Sequence, residues 1–329
     1  MLIRFEGSVS REWKAALNKR LAGLLPGAKA RPSAGGLLLS GFAPELAADA
    51  VPLLENMPGV LEVKLVREEL CPLACAAGTR KPPARPLDFR RGFIFIAGPC
   101  AVEEEASYLA SALALKAAGA HALRAALFKP RSSPYAFQGV GFAGLKIIAK
   151  AKKLTGLPLV TEATDTRQIA KLSPVCDVLQ MGARNMRNYE LLKEAARSGR
   201  AVLLKRAMRA TLKEWLLSAE YLLKHGAKNL MLCERGDAVF SSDSPGLDFA
   251  MLREAKRTTG LPVLADPSHS TRDRALACAM ALKAARAGAD GLLIEASAEP
   301  QTARVDGRQT LTVESFSGLT GAILCKKKR

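Results

Sequence analysis

From residue 93 onward, short apolar runs alternate with longer stretches that have the spacing of amphipathic helices. There are eight runs, at residues 93–98, 122–128, 158–163, 178–183, 201–206, 229–235, 262–268 and 291–296. Near-continuous apolar strands separated by helices predict a parallel sheet that is covered on both faces. Eight such units predict a (β/α)8 TIM barrel, with a doubly wound open sheet as the alternative. No glycine-rich dinucleotide fingerprint follows the first run, which disfavours that alternative.

The first 68 residues have a different pattern. They predict strands at 2–7, 28–32, 35–41 and 61–66 and helices at 8–25 and 44–57, the first helix capped by Ser8 or Ser10. The order βαββαβ predicts a small ferredoxin-like α+β domain over residues 1–68. Residues 69–88 contain four prolines and predict a linker, so the catalytic barrel is expected over residues 89–329.

Composition excludes several classes of protein. Hydrophobic residues make up 49% of the chain, and no apolar stretch is long enough for a membrane span. The first residues, MLIRFEGSVSREWK, contain charges and no apolar signal region, so we expect a cytoplasmic protein. Seven irregularly spaced cysteines do not form the pattern of a disulfide framework. A zinc site at Cys71 and Cys75 is disfavoured, because no second pair lies nearby.

The net charge of +18 predicts an anionic partner. Nucleic acid, acidic lipid and phosphorylated metabolites all fit a basic chain. Aromatic residues are only 5% of the sequence and do not interleave with basic residues, which disfavours nucleic acid.

Polar residues collect at the carboxyl ends of the apolar runs, which share one face of a barrel. Seven cations occur there: Arg124, Lys129, Arg131, Arg184, Lys205, Arg206 and Arg235. Arg124 lies inside an apolar run, where an unpaired cation is costly to bury. We expect the seven cations to repel one another unless an anion-rich substrate binds among them.

The same face carries candidate metal ligands. Cys100, His269 and Glu295 end the first, seventh and eighth runs, which are neighbours in a closed barrel, and Asp306 follows eleven residues after Glu295. One sulfur, one imidazole and two carboxylates suit Mn²⁺, Fe²⁺, Co²⁺ or Zn²⁺. Spacing alone leaves open the alternative that the cysteine is a small buried hydrophobe.

Seven motifs resemble, in order, those of class I 3-deoxy-D-arabino-heptulosonate 7-phosphate (DAHP) synthase, the first enzyme of the shikimate pathway. They span about residues 90–315 and read GPCAVE, LFKPRSSPYAFQGVG, GARNMRNYELLKE, LLKRAM, LCERG, DPSH and IEASAEP. The resemblance implies condensation of phosphoenolpyruvate with D-erythrose 4-phosphate and water, giving DAHP and phosphate. The leading domain is similar to the ferredoxin-like regulatory domain of one subgroup. This similarity implies feedback by tyrosine or phenylalanine and a homotetramer.

Roles follow from the resemblance, residue by residue. The residues expected to hold phosphoenolpyruvate are Arg124, Lys129, Arg184, Lys205 and Arg235. The loop expected to receive erythrose 4-phosphate is Lys129, Pro130, Arg131 and Ser132, and His269 and Asp306 are expected to border the substrates. The implied metal ligands are Cys100, His269, Glu295 and Asp306, with Mn²⁺ as the first choice. With the resemblance in view, Lys129 is the candidate proton donor and Glu234 the candidate residue that orients water. The catalytic candidates are these two residues together with Cys100 and His269.

Departures from the family pattern accompany the resemblance: the stretch after Gly236 lacks the usual arginines, no glycine follows His269, and three further departures replace single residues or a pair. Ala125-Ala126 replace two glycines, Ala207 replaces a glycine and Ser297 replaces a histidine. Two alternative functions follow: a sister synthase acting on another sugar phosphate such as arabinose 5-phosphate, or a non-catalytic barrel that senses amino acids. The motif KPRSSPY favours the heptulosonate synthase over the sister enzyme, and retention of all four metal ligands favours an enzyme over a sensor.

Overall fold

The computed structural model describes residues 1–5, 10–33, 35–79, 86–237 and 246–326. The chain divides into two compact units, Met1–Cys75 and Ala76–Arg329. Within the described residues, no helix is both long and apolar enough to cross a membrane.

The first unit is a four-stranded antiparallel sheet with two helices, as predicted. Its elements are β1 (Leu2–Phe5), α1 (Arg11–Leu24), β2 (Lys29–Ser33), β3 (Gly36–Ser40), α2 (Pro44–Glu55) and β4 (Val60–Lys64), and the strand order is β2-β3-β1-β4. Ser10 caps α1, because its hydroxyl accepts a hydrogen bond from the Trp13 N–H; Ser8 lies outside the described residues. The core joins Ile3 and Leu39 of the sheet to Leu17 and Leu54 of the helices.

The segment predicted as a linker contains local structure. Two short helices, α3 (Arg67–Leu70) and α4 (Pro72–Cys75), lie at its start, and residues 80–85 lie outside the described part. Ala74 is fully buried, so the start of this segment packs within the first unit.

The second unit is a closed parallel barrel. Within the described residues its eight strands are β5 (Ile94–Gly98), β6 (Ala122–Arg124), β7 (Leu159–Ala163), β8 (Val178–Met181), β9 (Ala201–Lys205), β10 (Leu230–Glu234), β11 (Val263–Ala265) and β12 (Gly291–Ser297). Each strand pairs with the next, and β12 pairs with both β5 and β11, which closes the ring. A short strand β13 (Leu311–Thr312) pairs in parallel with the carboxyl end of β12. The prediction of a (β/α)8 barrel is confirmed.

Helices follow the barrel strands. They are α5 (Glu105–Ala117), α6 (Leu145–Thr155), α7 (Thr166–Leu172), α8 (Tyr189–Arg197), α9 (Leu212–Lys224), α10 (Phe249–Thr259), α11 (Pro267–Thr271), α12 (Arg274–Arg286) and α13 (Val313–Lys326). The barrel strands are buried throughout, because the helices cover one face and the barrel interior the other. Apolar side chains such as Ile96, Val178 and Leu203 form a core cluster. Charged side chains lie at the carboxyl ends of several of these strands, among them Arg124, Lys205 and Glu295.

Candidate active site

Four potential metal ligands converge at the carboxyl ends of β5, β11 and β12. Their ligand atoms all lie within 4.8 Å of one another, and we call them the four-ligand cluster: Cys100, His269, Glu295 and Asp306. Cys100 Sγ is 2.9 Å from Asp306 Oδ2, and His269 Nε2 is 3.4 Å from Glu295 Oε1. A thiol, an imidazole and two carboxylates at this separation fit a divalent transition metal.

The chain around His269 fixes the direction of its ring. Asp266 directly follows β11 and is the N-cap residue of α11. Its Oδ1 accepts a hydrogen bond from the His269 backbone N–H at 3.1 Å. Its other oxygen lies 2.8 Å from His269 Nδ1. A carboxylate at Nδ1 fixes the tautomer and leaves Nε2 facing Glu295 as a ligand atom.

Asp306 is held in the left-handed backbone region, with φ of +57°. This conformation is uncommon outside glycine, although aspartate tolerates it better than most residues. Such strained positions concentrate at functional sites, where the surrounding structure maintains them. Here the turn brings the Asp306 carboxylate to the Cys100 sulfur.

The protonation states also suit metal binding. Burial raises the pKa of the Cys100 thiol well above its ordinary value, and the charge of Glu295 adds to this effect. Burial lowers the pKa of His269, which favours the neutral imidazole that binds metals. Burial alone would raise the pKa of Glu295, but His269 and Arg124 outweigh it and hold the pKa at about 2. The cluster therefore offers an imidazole and a carboxylate, with a thiol that a bound cation would deprotonate.

Several of the predicted cations are paired within the protein. Arg124 Nη2 is 3.0 Å from Glu295 Oε1, Lys205 forms an ion pair with Asp266, and Arg206 Nη2 donates to Glu234 Oε1 at 2.9 Å. Among the described residues, the buried charged side chains are five cations and four carboxylates: Arg124, Lys129, Lys205, Arg206, Arg235, Glu162, Glu234, Asp266 and Glu295. The four buried carboxylates offset part of this positive charge, which reduces the repulsion expected among the cations.

Two buried cationic side chains lack a full set of hydrogen-bond partners among the described residues. Arg124 Nη1 is buried and has no hydrogen-bond partner among the described residues. Lys129 is 8% exposed, and its Nζ is 3.5 Å from the carbonyl oxygen of Cys100. Burial alone would lower the pKa of Lys129, but the charges of Cys100, Glu162 and Glu295 outweigh it, so the pKa is raised. Buried, protonated donors without full partners favour an anionic ligand.

The other predicted phosphoenolpyruvate residues approach the same region from different loops. Arg235 is buried, and its Nη2 donates to the carbonyl of His269 at 3.2 Å. Burial lowers the pKa of its guanidinium. Arg184 is exposed, and its Nη1 lies 3.4 Å from the carbonyl oxygen of Pro130. Arg184 thus connects the loop after β8 to the loop after β6.

The loop after β6 carries the predicted aldose-phosphate residues. Pro130 and Arg131 are half-buried and Ser132 is exposed, so this loop faces solvent at the barrel mouth. Its base is closed by a hydrogen bond from the Lys129 N–H to the Gln138 carbonyl, at 2.8 Å.

Glu234 is engaged by its own surroundings. Its carboxylate accepts hydrogen bonds from Arg206, from the Gly236 N–H at 2.8 Å and from the Asp248 N–H at 3.2 Å. These contacts hold Gly236 and Asp248 at the carboxyl end of β10. A role for Glu234 in orienting water stays a prediction.

Sequence reasoning did not find the roles of three residues that shape the site. Asp266 and Arg206 directly follow strands and were visible as polar residues there, but nothing in the pattern showed that they pair with His269 and Glu234. Gln309 is buried and donates to Glu295. A single glutamine in a loop has no sequence signal.

The three departures lie in packed positions. The Ala125 carbonyl accepts from Thr161 Oγ1 at 2.8 Å, and the Ala207 N–H lies 3.0 Å from Met186 Sδ. Ser297 Oγ is 3.4 Å from Ser111 Oγ, and it accepts from the Glu299 N–H. Each is accommodated without disturbing the four-ligand cluster.

Comparison with known proteins fits this geometry. A profile of the DAHP synthetase I family matches residues 90–324, which include the whole barrel sheet and the four-ligand cluster. The chain belongs to the DAHP synthetase I family.

Relatives of this DAHP synthetase I family member include a phospho-2-dehydro-3-deoxyheptonate aldolase of Thermotoga maritima. The two are 39% identical over 228 residues, which are 69% of this chain and 68% of the relative. A crystal structure of the Thermotoga maritima phospho-2-dehydro-3-deoxyheptonate aldolase (DAHP synthase) superposes with a TM-score of 0.84 at 29% identity, covering 99% of this chain and 96% of the other. A 2-dehydro-3-deoxyphosphooctonate aldolase of Desulfatibacillum aliphaticivorans is 30% identical over 253 residues, covering 71% of this chain and 92% of its own.

Proposed function

We propose that the chain condenses phosphoenolpyruvate with D-erythrose 4-phosphate and water, giving DAHP and phosphate. The observation that carries the proposal is Arg124 Nη1, which is buried beside the four-ligand cluster and has no hydrogen-bond partner in the described part of the chain. A buried guanidinium nitrogen without a partner is costly, and an anionic substrate removes that cost. Membership of the DAHP synthetase I family supports the choice of reaction.

Phosphoenolpyruvate is assigned to the cations at the centre of the barrel mouth. Arg124 and Lys129 are buried there, with Arg235 nearby and Arg184 at the rim. Lys205 forms an ion pair with Asp266. It therefore adds positive charge to the site and also orients the carboxylate that holds His269. Together these groups stabilise a carboxylate and a phosphate and the charge that develops between them.

Erythrose 4-phosphate is assigned to the loop after β6. Arg131 and Ser132 are accessible there, and Lys129 stands at the base of the same loop. A guanidinium and a hydroxyl on an accessible loop suit the terminal phosphate of the aldose. Lys129 therefore lies between the two substrates.

The bond changes balance as follows. C3 of phosphoenolpyruvate attacks the aldehyde carbon, and the aldehyde oxygen takes a proton to become a hydroxyl. Water adds at C2 and gives up one proton, which replaces the proton delivered to the aldehyde oxygen. The C2–O bond to the phosphate then breaks, and the C2 hydroxyl becomes the ketone carbonyl as its proton leaves with the phosphate. Lys129 is protonated, because its pKa is raised, and we assign it the delivery of the proton to the aldehyde oxygen.

The four-ligand cluster is assigned to a divalent metal ion. Mn²⁺ is the first candidate, and Fe²⁺, Co²⁺ and Zn²⁺ suit the same donor set. When bound, such an ion supplies Lewis-acid polarisation of a carbonyl oxygen.

The test is phosphate release from phosphoenolpyruvate with a panel of aldose phosphates. Erythrose 4-phosphate should give the highest kcat/KM, and a chelator should abolish the rate. Preference for arabinose 5-phosphate would instead support the sister synthase, which the 30% identity to 2-dehydro-3-deoxyphosphooctonate aldolases keeps as the second candidate. No phosphate release with any aldose would favour the amino-acid-sensing barrel.

Regulation, assembly and location complete the proposal. The unit Met1–Cys75 is a ferredoxin-like domain with its own core, and we assign it the binding of tyrosine or phenylalanine as a feedback effector. We also propose a homotetramer in the cytoplasm. Light scattering of the purified protein tests the assembly.

A further inference from the structure

Both oxygens of the Glu295 carboxylate are held in place. Oε1 accepts from Arg124 Nη2 at 3.0 Å and faces His269 Nε2 at 3.4 Å. Oε2 accepts from Gln309 Nε2 at 2.6 Å. Gln309 is 4% exposed and Glu295 is fully buried, so water does not compete for this bond. A carboxylate oxygen only accepts, so the amide of Gln309 presents its NH2 group.

Gln309 also belongs to the turn that carries Asp306. Its backbone N–H donates to the Asp306 carbonyl at 3.2 Å, and Thr310 Oγ1 donates to the same carbonyl at 3.0 Å. Arg274 of α12 fixes the far side of the turn, because its Nε donates to the Thr310 carbonyl at 2.6 Å. The turn is therefore ordered by contacts outside the four-ligand cluster.

Gln309 is consequently the link between two ligands that come from different elements. Glu295 lies in β12, and Asp306 lies in the turn before β13. Without the Gln309 amide, Oε2 of Glu295 would lose this hydrogen bond, and the turn would lose its side-chain contact to the strand.

We propose that Gln309 is a positioning residue that holds the Glu295 carboxylate and the Asp306 turn in the arrangement that binds the divalent ion. Partners that hydrogen-bond to metal ligands fix their orientation and reduce the ordering that binding would otherwise require. The inference rests on the metal dependence in the proposed function. Its test uses metal alone, without substrates.

The test replaces Gln309 by methionine, which has nearly the same length and no N–H group. Co²⁺ is titrated into metal-free protein and followed by its visible spectrum and by the thiolate-to-metal absorption that Cys100 provides. The expected result is an affinity about 10- to 100-fold weaker, with an altered visible spectrum. Gln301→Met is the matched control, since Gln301 is exposed and lies outside the cluster; it should bind Co²⁺ like the wild type.

Unchanged affinity and spectrum in folded Gln309→Met would overturn the positioning role, as would a lower melting temperature with an unchanged spectrum. If Gln309→Met does not fold, Gln309→Asn keeps an amide but shortens its reach, and the same weakening is expected. Wild-type affinity in Gln309→Asn would then overturn the inference. Wild-type protein that binds no Co²⁺ would overturn the metal assignment itself, which separates that failure from the failure of Gln309.

Discussion

Lys129 stands at the base of the loop after β6, buried and protonated. Because its charge and proton act on the reacting atoms in the proposed mechanism, Lys129→Ala should lower kcat by about 100-fold or more. Steady-state kinetics measure this. Lys146→Ala removes an exposed lysine of α6 and should leave kcat unchanged. A Lys129→Ala enzyme with wild-type kcat would remove Lys129 from the chemistry.

Arg131 is assigned to the aldose phosphate rather than to phosphoenolpyruvate. It is half-buried on the same loop, whereas Arg124 is buried. Arg131→Ala should therefore raise KM for erythrose 4-phosphate by roughly tenfold or more, as expected for loss of a charge-assisted contact, with a small change for phosphoenolpyruvate. An increase confined to KM for phosphoenolpyruvate would show that the assignment of Arg131 to the aldose phosphate is wrong.

Cys100 supplies the only sulfur of the four-ligand cluster. Cys100→Ala should lose the metal while staying folded, because it replaces a small buried side chain by a smaller one. Metal analysis and circular dichroism test both parts. In the unmodified protein, dialysis against a chelator should abolish turnover, and Mn²⁺ should restore it. Full turnover by stripped protein would exclude a catalytic metal.

Three members of the four-ligand cluster could be predicted from the sequence, because Cys100, His269 and Glu295 lie at or just after the ends of recognisable strands. Cys100 and Glu295 belong to neighbouring strands of a closed ring, so their meeting follows from topology alone. The pairing of cations could not be predicted in this way. Whether Lys205 meets Asp266 depends on side-chain direction in the barrel interior, which hydrophobic patterns do not encode.

At the scale of elements, Gly139 closes the loop that carries Arg131 and Ser132. Its φ is +96°, and a Cβ there would lie 2.2 Å from the Leu127 carbonyl oxygen. Gly139→Ala should therefore displace the loop base, raise KM for erythrose 4-phosphate more than KM for phosphoenolpyruvate, and destabilise the fold by more than about 1 kcal/mol. Thermal unfolding and kinetics measure these effects.

Gly156→Ala is the matched control. Gly156 ends α6 with a φ of +69° and has open space around it, so its substitution carries only the conformational cost, about 1 kcal/mol. Its KM values should stay at wild type. Equal kinetic effects of the two substitutions would mean that the loop base does not position the aldose-phosphate residues.

The strands were predictable at this scale, whereas their lengths were not. The run at 122–128 was expected to be one strand, yet β6 ends at Arg124 and the chain continues as a loop. Ala125 still bonds to its neighbour, through its N–H to the Val160 carbonyl, but the next residues turn toward the barrel mouth. Ala125, Ala126 and Leu127 are nevertheless buried, so their composition resembles that of a strand.

At the scale of the whole molecule, the chain consists of two units with separate cores, and the four-ligand cluster lies entirely in the second. Residues 1–68 hold nine basic and seven acidic side chains, a net of +2, so they contribute little to the anion-attracting charge of +18. The order βαββαβ could be predicted because turn residues and helix-start residues, such as Ser10 and Pro44, separate its elements.

Removal of residues 1–75 should leave most of kcat and abolish inhibition by tyrosine or phenylalanine. An effector acts only if it binds one state of the enzyme better than another, and such coupling is typically about 5- to 150-fold in affinity. Kinetics of the full-length and shortened proteins, with each aromatic amino acid at millimolar concentration, measure the effect. A full-length enzyme that keeps its rate in tyrosine, phenylalanine and tryptophan, singly and together, would exclude this regulation. A shortened enzyme that is still inhibited would place the effector site in the barrel, because only the unit with the four-ligand cluster would remain.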